Sequence, residues 1–188
     1  MSATQAAGLL GRGSKQDAEA VLRRIERSRL IEQVGGAIIQ KRTEMSPLIQ
    51  WKAKQSTNQP NFDAIAYELK RRRFQHGRLD SIWKATSRGF RALGFSKMQR
   101  PSRRADWDHD VGLTSTWLSL RPEIELENAH WILEDDFRDY GIEMTCKPDA
   151  LIERANCTPE YIEYGGAYSA ETLRNKFESW RHLDWRLY

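Results

Sequence analysis

The chain has 188 residues, of which 39% are hydrophobic and 30% charged, and carries a net charge of +4. That length suits one large or two small domains, and no apolar run approaches the roughly 18 residues of a membrane span. Met1 to Leu10 lacks the charged start and long apolar centre of a secretion signal, so a cytoplasmic location is expected.

The charge is unevenly spread. Residues 1–105 hold 22 Lys and Arg against 8 Asp and Glu, whereas residues 106–188 hold 8 against 18. A basic half followed by an acidic one is the pattern expected when one part meets a polyanion. Double-stranded DNA is the expected partner, and the first half is the part that would face it. The plainer alternative is a pair of ordinary solvated surfaces of opposite sign.

In chain order, Thr4–Leu10 reads as a short helix that ends at the turn Gly11-Arg12-Gly13. Ser14 caps a second helix, with Asp17 in capping-box position and Ala18, Val21, Leu22 and Ile25 at helical spacing on its buried side. Helix, tight turn and second helix make a helix-turn-helix, whose second helix enters the major groove by its N-terminal residues. Lys15 and Gln16 are placed at base edges, and Arg12, Arg23 and Arg27 on phosphates. An ordinary helical hairpin with a charged outer face is the competing reading.

Residues 30–34 and 37–40 read as a hairpin turning at Gly35-Gly36, which would make the unit winged. The helix predicted over 61–73, with Phe62, Ile65, Ala66 and Leu69 as its stripe, is expected to cover the open face of that unit. It ends in Lys70-Arg71-Arg72-Arg73, a run that complements the helix dipole and is read here as phosphate-binding. Strands are predicted at 47–52 and 81–86, and a helix over 87–93 that stops at Gly94. The basic stretch 100–104 reads as a linker, so the expected domains are 1–105 and 106–188.

Beyond the linker, a helix is predicted over 114–120. His109, between Asp108 and Asp110, reads more readily as a cap than as a catalytic base. Segment 128–140 fits either a helix or a buried strand and supplies Glu134. The stretch Lys147–Trp180 reads as two strands, a glycine step and a helix capped by Ser169, with Leu173, Phe177 and Trp180 buried. Cys146 and Cys157 fall at opposite ends of the first of these strands. At about 3.3 Å per residue that is too far apart for a disulfide.

Asp149, directly after Pro148, opens the first of these strands, and Glu163 closes the second. Two carboxylates on neighbouring strands can share a Mg²⁺ ion, which takes one or two carboxylates plus waters and phosphate oxygens. Glu134, from just upstream, is expected as a third metal ligand. The lysine that such nuclease centres place two residues after the second acid is missing, because Gly165 stands there. Lys176, at the edge of the helix stripe, is the expected substitute, although a lysine whose stem merely shields Phe177 would look the same.

The winged unit, Trp83-Lys84-Ala85-Thr86-Ser87-Arg88-Gly89, the Asp108-His109-Asp110 region, Glu134, Pro148-Asp149-Ala150 and Ile162-Glu163-Tyr164-Gly165-Gly166 with Tyr168 together resemble the replication-relaxation family. The resemblance covers nearly the whole chain and is strongest from 148 to 177. It implies an α+β / α/β mix: an N-terminal winged helix-turn-helix, then a small PD-(D/E)xK-like sheet flanked by helices. It also implies a DNA-binding protein of plasmid or mobile-element replication or mobilisation. The absent lysine makes a degenerate nuclease-like domain without metal the first expectation. A Mg²⁺-dependent endonuclease using Glu134, Asp149 and Glu163, with Lys176 or Lys147 in place of the missing lysine, is the second. A winged-helix transcription regulator, whose acidic half serves homodimerisation or partner binding, is the third.

Overall fold

The computed structural model of the chain describes residues 1–11, 14–39, 46–74, 78–94 and 107–188, with backbone only at 36–39, 73–74 and 78–79. Arg12, His76, the 100–104 stretch and the side chain of Arg73 therefore lie outside the described residues. The fold is an α+β mix. Its helices are α1 (Ala3–Leu9), α2 (Lys15–Arg27), α3 (Phe62–Phe74), α4 (Ser87–Ala92), α5 (Trp107–Leu126) and α6 (Ala170–Trp180). Its strands are β1 (Ile31–Ile39), β2 (Ile49–Trp51), β3 (Arg78–Ala85), β4 (His130–Leu133), β5 (Ala150–Glu153), β6 (Glu160–Glu163) and β7 (Asp184–Leu187).

Contacts group the chain into two compact units, Met1–Lys41 with Gly77–Leu118, and Arg42–His76 with Ser119–Tyr188. The grouping differs from the expected 1–105 and 106–188 division, because β2 and α3 pack with the C-terminal residues. The later crossing falls inside α5, at Leu118/Ser119. Pro122 lies within that helix and has no N–H, so the Leu118 carbonyl four residues earlier loses its helical donor at the point of division. The helix runs well beyond the predicted 114–120.

In the first unit, the Ser2 hydroxyl accepts from the Gln5 N–H while the Gln5 side chain accepts from the Ser2 N–H, a complete capping box. The buried Gln5 amide then donates to the Val111 carbonyl and the Ser115 hydroxyl, both at 2.7 Å. Ser14 caps α2 as expected, accepting from the Asp17 N–H. Ala18 and Leu22 of α2 bury against Ala3, Ala6, Ala7 and Trp83.

Gly35-Gly36 is not a hairpin turn. β1 runs through it and pairs antiparallel with β3, from Ile31↔Ala85 to Ile39↔Arg78, with a register slip between Gln33 and Gly35. The slip leaves Val34 without a partner on β3, a β-bulge that ends at Gly35, and glycine marks bulges as well as turns. A Cβ at Gly35 would lie 2.6 Å from the Trp107 ring, so a bare backbone is needed there.

In the second unit, five strands are ordered β2-β7-β6-β5-β4. β4, β5 and β6 form an antiparallel meander; β7 runs parallel to β6, and β2 antiparallel to β7. Neither β7 nor its parallel pairing was expected from the sequence. Strand alternation puts Asp149, Tyr161, Glu163, Trp185 and Leu187 toward one face, and Glu160, Ile162 and Arg186 toward the other.

The first face carries the main core, where Trp51, Phe62, Leu69, Leu173, Phe177, Trp180, Trp185 and Leu187 cluster. Phe177 meets Trp51 edge-on at 4.8 Å, and Trp180 meets Trp185 at 5.6 Å. The α6 stripe is buried as predicted. The expected role of α3 as cover for the first unit is corrected: Phe62, Ala66 and Leu69 of α3 join this core instead. In the first unit Ile82 packs with Val111 of α5.

Candidate active site

β5 and β6 pair with Ala150 opposite Ile162, so the residues flanking that pair, Asp149 and Glu163, fall on the same face at neighbouring positions. Asp149 accepts the Tyr164 N–H at 2.7 Å. Glu163 is 1% exposed. Its Oε1 takes the Tyr168 hydroxyl at 2.6 Å and the Lys176 amine at 2.8 Å. Its Oε2 is buried with no hydrogen-bond partner among the described residues. Burial first, and the neighbouring Asp149 second, push the Glu163 carboxyl up to about 7, against the pull of Lys176 and Tyr168. Burial also pushes the Tyr168 hydroxyl far above the ordinary phenol range, with the Glu163 charge adding to it.

Lys176 is held from several sides. Its amine lies 4.7 Å from the centre of the Trp180 ring, one helical turn on, and 5.2 Å from that of Tyr168. Both rings attract a cation through their faces. Gly165 shows why the amine does not come from the strand. A Cβ there would lie 2.6 Å from one Leu69 methyl and 3.1 Å from the other and from Leu187. Leu69 of α3 fills the space that a side chain at 165 would need, and the cation arrives from α6 instead.

The three expected acids do not form one metal-holding group, since no cluster of three such side chains occurs among the described residues. Glu134 opens a 3-10 turn after β4, its N–H donating to the Asp149 carbonyl at 2.9 Å, while its side chain is exposed. It stays within electrostatic reach: partial burial, then Asp149, raises its carboxyl above the ordinary value. Asp149 and Glu163 remain as a two-carboxylate donor set with Lys176 beside it. His109 lies in the first turn of α5, 3.9 Å from its neighbour Asp110.

The expected DNA contacts separate into paired and unpaired cations. Lys15 is half-buried and bound to the buried Asp80 at 2.7 Å, which takes it away from base edges. Burial pushes the Asp80 carboxyl up, but the bonds from Lys15 and Thr4 outweigh it and hold it below its usual value. Arg71 and Arg72 both grip Glu68 and pull its carboxyl down to about 2, so half of the densest basic run is already matched. Gln16, Arg23 and Arg27 are exposed on α2.

A second polar cluster on the opposite sheet face had no local signal in the sequence. Glu160 is 1% exposed and is held by Lys52 at 2.8 Å, Arg186 at 2.7 and 3.0 Å, and Arg154 at 3.3 Å. Arg154 and Arg186 also bind Glu123 of α5, and Arg154 binds Glu127. These residues are scattered from position 52 to 186, so only the fold brings them together. The role of Tyr168 was likewise missed, although its place in the Glu163-x-x-x-x-Tyr168 stretch was noted.

In comparisons with known proteins, no family model matches the chain, and neither a curated protein nor a solved structure matches it. No helix among the described residues is long and apolar enough to cross a membrane.

Proposed function

We propose that the chain is a DNA-binding protein whose second unit carries a phosphodiester-cleaving centre built from Asp149, Glu163 and Lys176. The observation that carries this reading is the Lys176 amine, 2.8 Å from Glu163, in the role that the acid-x-lysine pattern assigns to position 165. The order α5-β4-β5-β6-α6-β7, with the acids at the start of the second and the end of the third strand of the meander, supports a PD-(D/E)xK-like arrangement. The resemblance to the replication-relaxation family makes a plasmid or mobile element the setting in which such a protein acts.

Mg²⁺ fits the donor set. Glu163 offers a buried oxygen with no other partner among the described residues, and two carboxylates suffice for this hard cation. When bound, such an ion lowers the pKa of water and steadies the leaving oxygen. The chain's own groups do the rest. Lys176 holds positive charge where a phosphate gains negative charge. Tyr168 fixes the Glu163 carboxylate in one orientation, and Trp180 keeps the amine from swinging to solvent.

A retained but inactive centre is the second reading, favoured by the absence of a three-ligand group among the described residues. Plasmid nicking by the purified chain with Mg²⁺ or Mn²⁺ decides between them. Nicking that is lost in Asp149→Ala and Glu163→Ala, and impaired in Lys176→Met, upholds the cleaving centre. A wild-type chain that binds DNA but leaves it intact with either metal upholds the inactive one.

A further inference from the structure

Of the cations that the sequence pointed to, Lys15, Arg71 and Arg72 are matched by acids, whereas Arg23 and Arg27 are exposed on α2. Arg27 lies at the end of that helix, near three further exposed arginines of the first unit. The ordinary Arg27, Arg29, Arg88 and Arg91 side chains are all exposed, and none has an ion pair or side-chain hydrogen bond among the described residues. We propose that the corner where the α2–β1 turn meets α4 is a surface for the phosphate backbone of double-stranded DNA, formed by these four arginines.

The corner is tightly built. The Thr86 N–H donates to the Leu30 carbonyl at 2.9 Å, and the Thr86 hydroxyl donates to the Arg29 carbonyl at 2.6 Å. The same hydroxyl accepts the Gly89 N–H and so caps α4. A Cβ at Gly89 would lie 2.1 Å from the Leu30 carbonyl oxygen, so α4 sits directly on the turn. Its two arginines, three residues apart on a short helix, are thereby fixed beside the turn that carries Arg29 and follows Arg27.

Arg29 directly follows the cap of α2, with φ 59°, the left-handed backbone by which helices commonly end. Its N–H donates to the Glu26 carbonyl at 2.7 Å, which fixes the backbone that carries its guanidinium. The nearby acids are engaged: Glu26 accepts the Gln33 N–H at 3.0 Å and Glu32 pairs with Lys84 at 3.1 Å. α4 contains no acid at all.

Four guanidiniums beside one carboxylate that has no cation of its own among the described residues, that of Glu26, keep a net positive charge. They favour phosphate oxygens, which their planar forks match in pairs. The first unit as a whole holds 15 basic residues against 8 acidic ones, a balance that favours a polyanion. An anionic membrane surface is the weaker fit, since α4 is six residues long and, among the described residues, Leu93, 72% exposed, is the one large exposed apolar side chain beside these arginines. The proposal shares DNA as partner with the proposed function but does not depend on the Asp149 centre.

The test is binding of a short labelled DNA duplex in EDTA, across a range of salt, so that cleavage plays no part. Arg88→Ala with Arg91→Ala should weaken binding at least about tenfold and make the log-affinity against log-salt slope shallower by about 2. Arg29→Asn keeps a residue suited to the left-handed backbone while removing the charge, and should reduce the slope by about 1 even if the double variant misfolds. Asp149→Ala should bind as the wild type does, which separates this surface from the centre. Unchanged affinity and slope in Arg29→Asn and in a folded double variant would overturn the proposal. So would tighter binding to phosphatidylserine vesicles than to duplex, lost in the same variants.

Discussion

Glu160 and Glu163 lie three residues apart on β6, and each is 1% exposed. Alternation along the strand sends them to opposite faces of the sheet, where they meet opposite surroundings. Lys52, Arg154 and Arg186 close around Glu160 and occupy both of its oxygens. Burial raises its carboxyl, but those cations outweigh burial and hold it below the ordinary value. Among the described residues Glu163 has one cation, a nearby acid and one oxygen without a partner, and burial pushes its carboxyl up to about 7. Burial is common to both, so incomplete pairing is what sets Glu163 apart. Glu160 looks like a rivet, Glu163 like a site held ready for something else.

The sharpest way to break this contrast is to exchange the consequences. Glu163→Ala should reduce metal-dependent nicking by about 10³-fold or more, with little loss of folded protein by circular dichroism. Glu160→Ala should do the reverse. It removes the carboxylate that three cations share, although Arg154 and Arg186 keep Glu123 and Lys52 keeps Asp184. The change should cost about 1–3 kcal/mol of stability in a urea titration, while the folded fraction still nicks. If Glu160→Ala abolishes nicking without unfolding the chain, the division of labour fails.

Next in size is Lys176→Met, which should cut nicking about 10²-fold. Lys176→Arg should recover part of it, which loss of stem packing alone would not explain. Tyr168→Phe removes one hydrogen bond to Glu163 and should reduce nicking about tenfold, with the larger effect on kcat rather than on DNA affinity measured in EDTA.

The pH dependence sharpens the contrast further. A carboxyl that holds its proton more tightly when folded favours the fold at low pH. For Glu163 that stabilisation is fully present below 4.5 and is lost as pH rises through about 7. Glu160, held low, gives stabilisation that stands above 4.5 and is lost as pH falls through its folded value. Urea midpoints should therefore fall less between pH 5 and pH 8 in Glu163→Gln than in the wild type. Glu160→Gln should keep the Glu163-type fall. The smallest expected effect is Arg71→Ala: its pair with Glu68 is exposed and screened by solvent, so the urea midpoint should barely move.

Much of the local structure was legible because it rests on local rules. Ser14 and Ser169 announce their helices, and Leu173, Phe177 and Trp180 keep helical spacing through α6. Asp149 and Glu163 were expected at neighbouring strand ends, and the β5–β6 register places them there. What was hidden depends on chain segments far apart in sequence. The strand that pairs with β1 comes after position 77, so a glycine pair beside a bulge read as a turn. α3 met α6 and not the first unit, because its stripe fits either partner. Lys15 read as free because Asp80, 65 positions away, is invisible to any local pattern. The Glu160 cluster had no signal for the same reason.

Leu69 beside Gly165 has a practical consequence. A lysine placed at 165 would not stand in for Lys176; its Cβ would press on a core leucine and disturb the seam between α3 and the sheet. The amine had to be supplied from another element, and α6 lies within reach. Search patterns that insist on a lysine two positions after the second acid will pass over chains wired in this way, whereas a rule written in space, one amine within about 3 Å of the strand-end carboxylate, would retrieve them.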